Sequence, residues 1–158
     1  MKTPATWNAG HVNRWHTNDD HALRNSQDTN HQHSARVALL LLHLWPDAPR
    51  EAIIAALHHD LPEKYTGDVS RETKQDDVLL AELLHQADKQ WHIEHGTQQC
   101  PPEWVSELKL CDVLDAVLWA WSVNPDIMAR MDWTECRRWC TDEAKDLGVG
   151  FAVWRIFN

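Results

Sequence analysis

One segment constrains the fold more than any other: residues 104–121 are apolar around almost the whole circumference of a helix. Pro101 and Pro102 precede this segment and Asn124-Pro125 follows it, so the helix has a defined start and end. A helix that is apolar on all sides must be covered by other elements, as in the middle of a bundle. Glycine is scarce, at 5 of 158 residues, which disfavours a turn-rich β sandwich. We therefore predict an all-α, compact, single-domain helical bundle.

Helical periodicity, capping residues and prolines predict further helices on both sides of this segment. In chain order, they cover residues 29–45, 47–61, 76–95 and 133–147, with a short candidate at 9–15 and an apolar tail at 151–157. Residues 64–75 carry alternating charge around Gly67 and are expected to form a loop or short 3₁₀ turns. Residues 1–28 are polar and are interpreted as a lead-in segment of one domain that spans residues 1–158.

The balance of charge narrows the range of partners. Lys and Arg total 15 against 24 Asp and Glu, which gives a formal net charge of -9. A surface of this sign repels nucleic-acid backbones and anionic lipid, so neither a nucleic-acid polymer nor a membrane is expected as a partner. The sequence also contains neither an apolar run of the roughly 20 residues that a membrane span needs nor the apolar core of a signal peptide. We expect a cytoplasmic protein, or one in the host cytoplasm if a phage encodes it.

Asp112 is out of place in the most apolar helix. Burying an unpaired carboxylate there would cost several kcal/mol, so a cation is expected beside it. His33, His59 and Asp60 lie at helical positions from which they could supply further ligands. Two imidazoles and two carboxylates suit a borderline divalent transition metal that keeps open positions for water or substrate.

Two neighbouring residues are alternative ligands. Asp115 follows Asp112 on the same helix, although a bridge to an Arg or Lys side chain is the more common role for such a carboxylate. His58 precedes His59 and points about 100° away on the helix, so it is a ligand only if the metal lies on the other face.

Four short stretches and one lysine, between residue 9 and about residue 121, combine into a recognisable pattern. They are Arg14-Trp15-His16, Asp28-Thr29-Asn30-His31-Gln32-His33-Ser34, His59-Asp60-Leu61-Pro62-Glu63-Lys64-Tyr65-Thr66-Gly67-Asp68, Lys74 and Lys109-Leu110-Cys111-Asp112. With this combination the chain resembles the HD-domain phosphohydrolases. Within that family it is similar to small 5'-deoxynucleotidases and to phage-type deoxynucleoside triphosphate (dATP) triphosphohydrolases.

The resemblance implies a role for each matching position. His33, His59, Asp60 and Asp112 would hold one divalent cation, either Zn, Co or Mn, or Mg with a triphosphate substrate. Glu63 matches the acid-base carboxylate that positions and deprotonates the attacking water. The other matches are to substrate-binding positions. Arg14, Lys74 and Lys109 match residues that hold phosphate. Trp15 matches the residue that closes over the sugar and excludes a 2'-hydroxyl, and Asp68 matches a carboxylate near the sugar.

The charges of nearby side chains indicate how many phosphates the substrate carries. A local excess of cations on an acidic protein favours a polyphosphate, and the residues concerned are Arg14, Lys64, Arg71, Lys74 and Lys109. We therefore expect an enzyme that converts a deoxynucleoside triphosphate to deoxynucleoside plus triphosphate. The alternatives are a 5'-deoxynucleotidase that releases phosphate from deoxynucleoside monophosphates and a non-catalytic, metal-stabilised nucleotide-binding module. The resemblance also implies a homo-oligomer.

Overall fold

The predicted apolar segment forms helix α8 (Val105–Val123), which lies in the core of the molecule. A computed structural model describes the backbone of residues 4–158 and the side chains in that range except those of residues 71, 72 and 75. Helix α8 packs between α3 (Asn30–Leu44) and α9 (Met131–Asp146). Within the described residues the chain is 72% helical and contains no strand, so the prediction of a compact all-α domain is confirmed.

The remaining helices surround this three-helix centre. They are α1 (Ala5–Ala9), α2 (His21–Arg24), α4 (Arg50–His58), α5 (Glu63–Thr66), α6 (Arg71–Asp76), α7 (Val78–His95) and α10 (Gly150–Phe157), with 3₁₀ turns at Pro102–Trp104 and Pro125–Ala129. Helix α4 packs on α3, and α10 packs on α9. No helix in the described part of the chain has the length and apolarity that crossing a bilayer requires.

The capping residues explain why the longer helices begin and end where they do. Thr29 and Gln32 form a reciprocal capping box at the start of α3. The side chain of Asp77 accepts a hydrogen bond from the backbone N–H of Leu80 and so caps α7. Gly96 ends α7 with a φ of 59°, a left-handed conformation that glycine adopts without steric cost.

Three local predictions were wrong. Residues 9–15 do not form a helix: α1 ends at Ala9, and the backbone of Asn13 pairs with that of Thr29 instead. Residues 64–75 are not a simple loop, because α5 and α6 occupy most of this stretch. Helix α4 ends at His58, so His59 and Asp60 lie in the turn that follows and not in the last helical turn. The apolar tail forms α10.

The polar segment before α3 packs closely onto the rest of the domain. Leu23 in α2 and Asp28 are fully buried. The Trp119 indole N–H of α8 donates a hydrogen bond to the Ser26 hydroxyl at 3.1 Å, and Asn124 donates to Asp20 at 2.9 Å. The segment that carries Arg14 and Trp15 is therefore fixed against α8.

Candidate metal centre and adjoining cavity

The Nε2 atoms of two histidines, His33 and His59, face each other, although the two residues lie in different parts of the fold. His33 in α3 is fully buried, and its Nδ1 donates a hydrogen bond to Asp115 Oδ2 at 2.7 Å. His59 follows α4, and its Nδ1 donates to the backbone carbonyl of Ala56 at 2.8 Å. Because both Nδ1 atoms are used as donors, both Nε2 atoms present lone pairs in the neutral rings. These two Nε2 atoms lie 3.2 Å apart.

Two carboxylates border the same point. Asp60 places one oxygen 3.3 Å from the Nε2 of His33 and the other 3.3 Å from the Nε2 of His59. Asp112 Oδ1 lies 3.2 Å from the Nε2 of His33 and 4.0 Å from that of His59. His33, His59 and Asp60 form a group whose ligand atoms all lie within 4.8 Å of one another and which could hold a metal ion. The chain thus brings together the four residues that the sequence singles out.

The donor set fits a divalent transition metal. Two nitrogens at a normal Zn–N distance from one tetrahedral ion would lie about 3.3 Å apart, close to the 3.2 Å that separates the two Nε2 atoms. Without a cation or a proton between them, two nitrogen lone pairs and two carboxylates would repel one another at these distances. Imidazole and carboxylate ligands together suit Zn, Mn, Co or Fe better than Ca.

Asp112 is less isolated than its sequence position suggests. Its side chain is 22% exposed, and Lys109 Nζ lies 2.7 Å from its Oδ2. Desolvation alone would raise the pKa of Asp112, but Lys109 and His33 outweigh it and lower that pKa well below the ordinary value. The cation expected beside Asp112 is therefore present in the form of the lysine one turn earlier, which supplies a counter-charge.

His33 carries the proton that a cation would displace. Burial alone would lower the pKa of His33, but hydrogen bonds with Asp112 and Asp115 outweigh it and raise that pKa to about 9. Near neutral pH the metal-free ring is therefore an imidazolium surrounded by carboxylates. A metal ion must replace this proton, since the same Nε2 cannot hold both.

A buried group of charges holds His33 in place. Asp115 accepts from Arg36 Nε at 2.7 Å, and Arg36 Nη2 also donates to both oxygens of Asp28 at 3.0 Å. The bridge expected between Asp115 and a basic side chain is thus present, with Arg36 as the base. The sequence pattern gives neither Asp28 nor Arg36 a role at the site. One feature could have indicated Arg36: it follows His33 by three residues and therefore lies on the same face of α3.

Asp28 extends this group to the predicted substrate residues. Its Oδ2 accepts hydrogen bonds from the Trp15 indole N–H at 3.1 Å and from Arg14 Nη1 at 3.4 Å. Trp15 has a φ of 65°, which is costly for a bulky residue. Its backbone N–H donates to Asp68 Oδ2 at 3.0 Å, so bonds at both the backbone and the ring hold this conformation.

Glu63 lies beside the metal group and is held by Asn30, a residue of the sequence pattern to which the sequence assigns no role. Its Oε2 accepts from Asn30 Nδ2 at 2.8 Å, and the same amide donates to the Asp60 carbonyl at 3.0 Å. Burial, together with the charges of Asp60 and Asp68, raises the pKa of Glu63 to about 9. Asn30 is fully buried, and its Oδ1 has no hydrogen-bond partner among the described atoms.

A cavity of about 540 Å³ opens directly beside Asp60 and Glu63. It is lined by eight of the residues predicted for the site, namely Arg14, Trp15, Asp60, Glu63, Asp68, Lys74, Lys109 and Asp112. The histidines lie behind Asp60 and Asp112. Lys64 is exposed and is not among the described lining residues, and the side chain of Arg71 lies outside the described part of the chain.

The two ends of the cavity differ in chemistry. Near Asp60 it is charged, with Lys74 and Lys109 in its wall. The walls that α8 and α9 contribute are apolar around Val113, Ala116, Val117 and Trp133. The Trp133 ring lies 5.9 Å from that of Trp15, centroid to centroid. Sequence patterning does not predict this α9 wall, because Trp133 reads as an ordinary core residue.

Comparison with known proteins adds no assignment: no family model, curated protein or solved structure matches this chain.

Proposed function

We propose that this protein is a metal-dependent phosphohydrolase of the HD-domain type that cleaves the 5'-phosphate ester of 2'-deoxynucleotides. The single observation that carries the proposal is the convergence of two histidine Nε2 atoms and two carboxylates at one edge of a cavity whose walls also contain Glu63 and several cations. These are the parts that hydrolysis of a phosphate ester needs: a metal ligand set, an acid-base group and counter-charges for phosphate.

The charge of the cavity supports a cation and an anionic substrate together. The described lining residues include five aspartates and four cationic side chains, besides Glu63, whose raised pKa keeps it protonated near neutral pH, so acidic groups outnumber basic ones in the cavity. A divalent cation would balance that excess and make the charged end attractive to phosphate. Arg130 adds a cation that the sequence does not place at the site, although Asp132 and Asp19 pair with it at 2.9 and 3.2 Å.

The proposed division of labour follows from the positions of the side chains. His33, His59, Asp60 and Asp112 would hold a divalent cation, which when bound polarises a phosphoryl oxygen and lowers the pKa of a water molecule. Glu63 accepts a proton from the attacking water once positive charge nearby has lowered its pKa. Water oxygen bonds to the α-phosphorus, the bond from that phosphorus to the 5'-oxygen breaks, and the 5'-oxygen takes up a proton.

The remaining groups bind and orient the nucleotide. Lys74, Lys109 and Arg14, which line the cavity, offset charge on the phosphate oxygens. Trp15, held between Asp28 and Asp68, covers the sugar and leaves no room for a 2'-hydroxyl. The apolar walls around Ala116 and Trp133 suit the flat face of a base. A volume of about 540 Å³ lies within the range of small-molecule sites.

We favour a deoxynucleoside triphosphate, with dATP the first candidate, and products of deoxynucleoside and intact triphosphate. Three of the five basic residues that favour a polyphosphate in the sequence, Arg14, Lys74 and Lys109, line the cavity, and Arg130 joins them. The alternative is a 5'-deoxynucleotidase that acts on monophosphates, for which fewer cations would suffice. A non-catalytic nucleotide-binding module is disfavoured because both Glu63 and the phosphate cations are in place beside the metal group.

Product analysis tests the proposal. The purified protein is loaded with Mn, Co or Zn and incubated separately with dATP and dAMP, and the products are resolved by anion exchange. We expect deoxyadenosine and triphosphate from dATP, and no turnover by a Glu63→Gln control. Rapid cleavage of dAMP with inert dATP would establish the monophosphatase. No turnover of any ribo- or deoxynucleotide with any of these metals would overturn the enzyme proposal.

A further inference from the structure

Asn30 is the first residue of α3, and its side chain is fully enclosed by the protein. Its Nδ2 donates hydrogen bonds to two acceptors of one turn, the Asp60 carbonyl at 3.0 Å and Glu63 Oε2 at 2.8 Å. Because a carbonyl oxygen can only accept, the amide must present its NH2 group to this turn and not its oxygen. Asn30 therefore connects α3 to the turn that carries a proposed metal ligand and the proposed acid-base group.

The structure around Glu63 is too short to fix the direction of its side chain by itself. Glu63 begins α5, which has only four residues and follows Pro62 without a side-chain cap. A single helical turn is not stable alone in water. Contacts with α1 and α7 place the backbone of α5, but among the described residues only Asn30 donates a hydrogen bond to the Glu63 carboxylate. The direction of that carboxylate is therefore set from α3, 33 residues earlier in the chain.

This hydrogen bond leaves one Glu63 oxygen for the reaction. Oε2 is engaged by Asn30, whereas Oε1 has no hydrogen-bond partner among the described residues. Glu63 lines the cavity, while Asn30 is fully buried and is not among the described lining residues, so Asn30 can act on a substrate only through Glu63. The position of such a reacting group matters, because a displacement of about 1 Å can lower a rate by about 100-fold.

Helix α3 holds Asn30 and His33 on the same face, one turn apart. The Nε2 of His33 faces the metal group, while the Asn30 amide faces Glu63. One rigid helix thus fixes the separation between the metal group and the acid-base carboxylate. The start of α3 is itself fixed by the capping box at Thr29 and by a hydrogen bond of 3.0 Å from the Asn30 backbone N–H to the Val12 carbonyl.

The other end of the Asn30 amide argues against a purely structural role. Oδ1 is buried and has no hydrogen-bond partner among the described atoms. An unpaired buried acceptor destabilises a fold, and an apolar side chain of similar shape would avoid that cost. Departures of this kind from the most stable choice of residue are typical of functional sites.

From these contacts we infer that Asn30 is a positioning residue, which holds Glu63 so that its Oε1 faces the water that attacks the phosphorus. The inference rests on the proposed function, because it takes Glu63 as the group that accepts a proton from that water. The proton moves from the water to Oε1, while the hydrogen bond between Asn30 Nδ2 and Oε2 is kept.

Steady-state kinetics of the metal-loaded protein test the inference, with dATP or dAMP as substrate according to which one the intact protein cleaves. Asn30→Leu keeps the approximate shape of the side chain and removes its donors. We expect kcat to fall by about 10- to 100-fold and KM to stay within about twofold, because Asn30 does not touch the substrate. Metal content should be unchanged, since the Asp60 carbonyl still accepts from the Glu63 backbone N–H at 3.2 Å.

Asn25→Leu is the matched control for this substitution. Asn25 is exposed, and its side chain donates to the His21 carbonyl of its own helical turn at 2.7 Å. The control should therefore leave kcat, KM and metal content unchanged. Loss of bound metal in Asn30→Leu would overturn the inference, because Asn30 would then act on the metal ligands and not on Glu63.

A double-mutant cycle distinguishes positioning from a general structural role. Glu63→Gln already removes the proton acceptor, so the addition of Asn30→Leu should lower kcat no further. A structural role would make the two losses multiply. A further loss of about tenfold or more in the double variant, or the kcat of the intact protein in Asn30→Leu, would overturn the inference and leave the proposed function in place.

Side-chain amide resonances test the two hydrogen bonds without any turnover. In the zinc-loaded protein the Asn30 NH2 protons, assigned by their absence in Asn30→Leu, should exchange with solvent far more slowly than those of Asn25 and should shift in Glu63→Gln. Fast exchange would overturn the inference even in an active enzyme. Slow exchange in a protein that hydrolyses no nucleotide would overturn the proposed function and, with it, the role of Asn30, so the two failures differ in their readout.

Discussion

Asp115 Oδ2 lies 2.7 Å from His33 Nδ1, and this hydrogen bond turns the ring so that its Nε2 faces His59. Asp115 is nearly fully buried and also accepts two hydrogen bonds from Arg36. Its carboxylate thus fixes the tautomer of a proposed metal ligand without approaching the metal group itself. Arg36 and Asp28 continue the same arrangement to Trp15, which couples the metal group to the cavity wall.

Asp115→Asn should weaken metal binding by about 10- to 100-fold, the usual cost of losing the outer partner of a histidine ligand. The substitution retains the shape of the side chain but removes the charge that stabilises the Nδ1–H. Competition with a chromophoric chelator measures the affinity. Asp126→Asn, at a position in the 3₁₀ turn at Pro125–Ala129, is a control that should leave it unchanged. An unaltered affinity in Asp115→Asn would show that His33 does not bind metal through the Nε2 that this bond orients.

The four proposed ligands should be individually necessary. His59→Ala and Asp60→Ala should each lose most bound metal and all turnover, because each removes a donor atom that the other three residues cannot replace. His58→Ala is the matched control: His58 is adjacent in sequence, but its Nδ1 accepts a hydrogen bond from the Gln98 backbone N–H and does not join the metal group. Elemental analysis of the three purified variants measures their metal content and tests this prediction. Full metal content in either ligand variant would place the metal elsewhere.

Glu63→Gln should separate chemistry from metal binding. The amide cannot accept a proton from water, so turnover should fall by roughly 10²-fold or more while the metal content stays normal. Gln still offers an oxygen to Asn30, so the local packing is preserved. Steady-state turnover and elemental analysis are measured on the same preparation. Turnover equal to that of the unmodified protein would remove Glu63 from the mechanism.

Discrimination between sugars should depend on Trp15. Deoxynucleotides should be hydrolysed far faster than the matching ribonucleotides, and Trp15→Ala should narrow that ratio by opening space beside the sugar. Trp7→Ala is the control, because Trp7 is exposed and lies outside the described cavity lining. The ratio of kcat/KM for the deoxy and ribo substrates is the measurement. Equal ratios in the unmodified protein and in Trp15→Ala would contradict the role of Trp15 at the sugar.

The parts of the fold that the sequence predicts are those fixed by local signals. The boundaries of α7 follow from Asp77 and Gly96, and the end of α8 follows from Asn124-Pro125. Helices α5 and α6 have only four and six residues, too few for apolar periodicity to show, so they read as a loop. The spacing of residues 9–15 predicts a helix that includes Trp15, whereas long-range hydrogen bonds to Asp28 and Asp68 hold Trp15 in a left-handed backbone conformation.

Some residues of the candidate site can likewise be predicted from local sequence signals, and others cannot. His33, His59, Asp60 and Asp112 could be proposed from sequence because each matches a residue type that binds metals. Asn30 and Arg36 could not, because their importance depends on contacts with Glu63 and Asp115, which lie 33 and 79 residues away in the chain. Such contacts are consequences of how α3 packs on α8 and on the turn after α4, and no local pattern encodes them.

The metal-free protein should lose stability as the pH rises from about 6.5 to 9. In the folded state the pKa of His33 is raised to about 9, above the roughly 6.5 of an unfolded histidine, so its stabilisation is complete below pH 6.5 and is lost as the pH passes through 9. The pKa of Glu63 is likewise raised to about 9, so the folded protein binds more protons than the unfolded chain over this range and stability falls with pH.

Metal binding should counteract this loss of stability at high pH. Because a cation displaces the proton of His33, its binding should release protons and become tighter as the pH rises from 6.5 to 9. Thermal melts at pH 6.5 and pH 9, recorded with a chelator and with added Zn or Mn, measure the effect. We expect the melting temperature to fall between these pH values in the chelated protein, and the increase that metal produces to be larger at pH 9. A metal-induced increase that is larger at pH 6.5 would show that His33 does not exchange its proton for the metal.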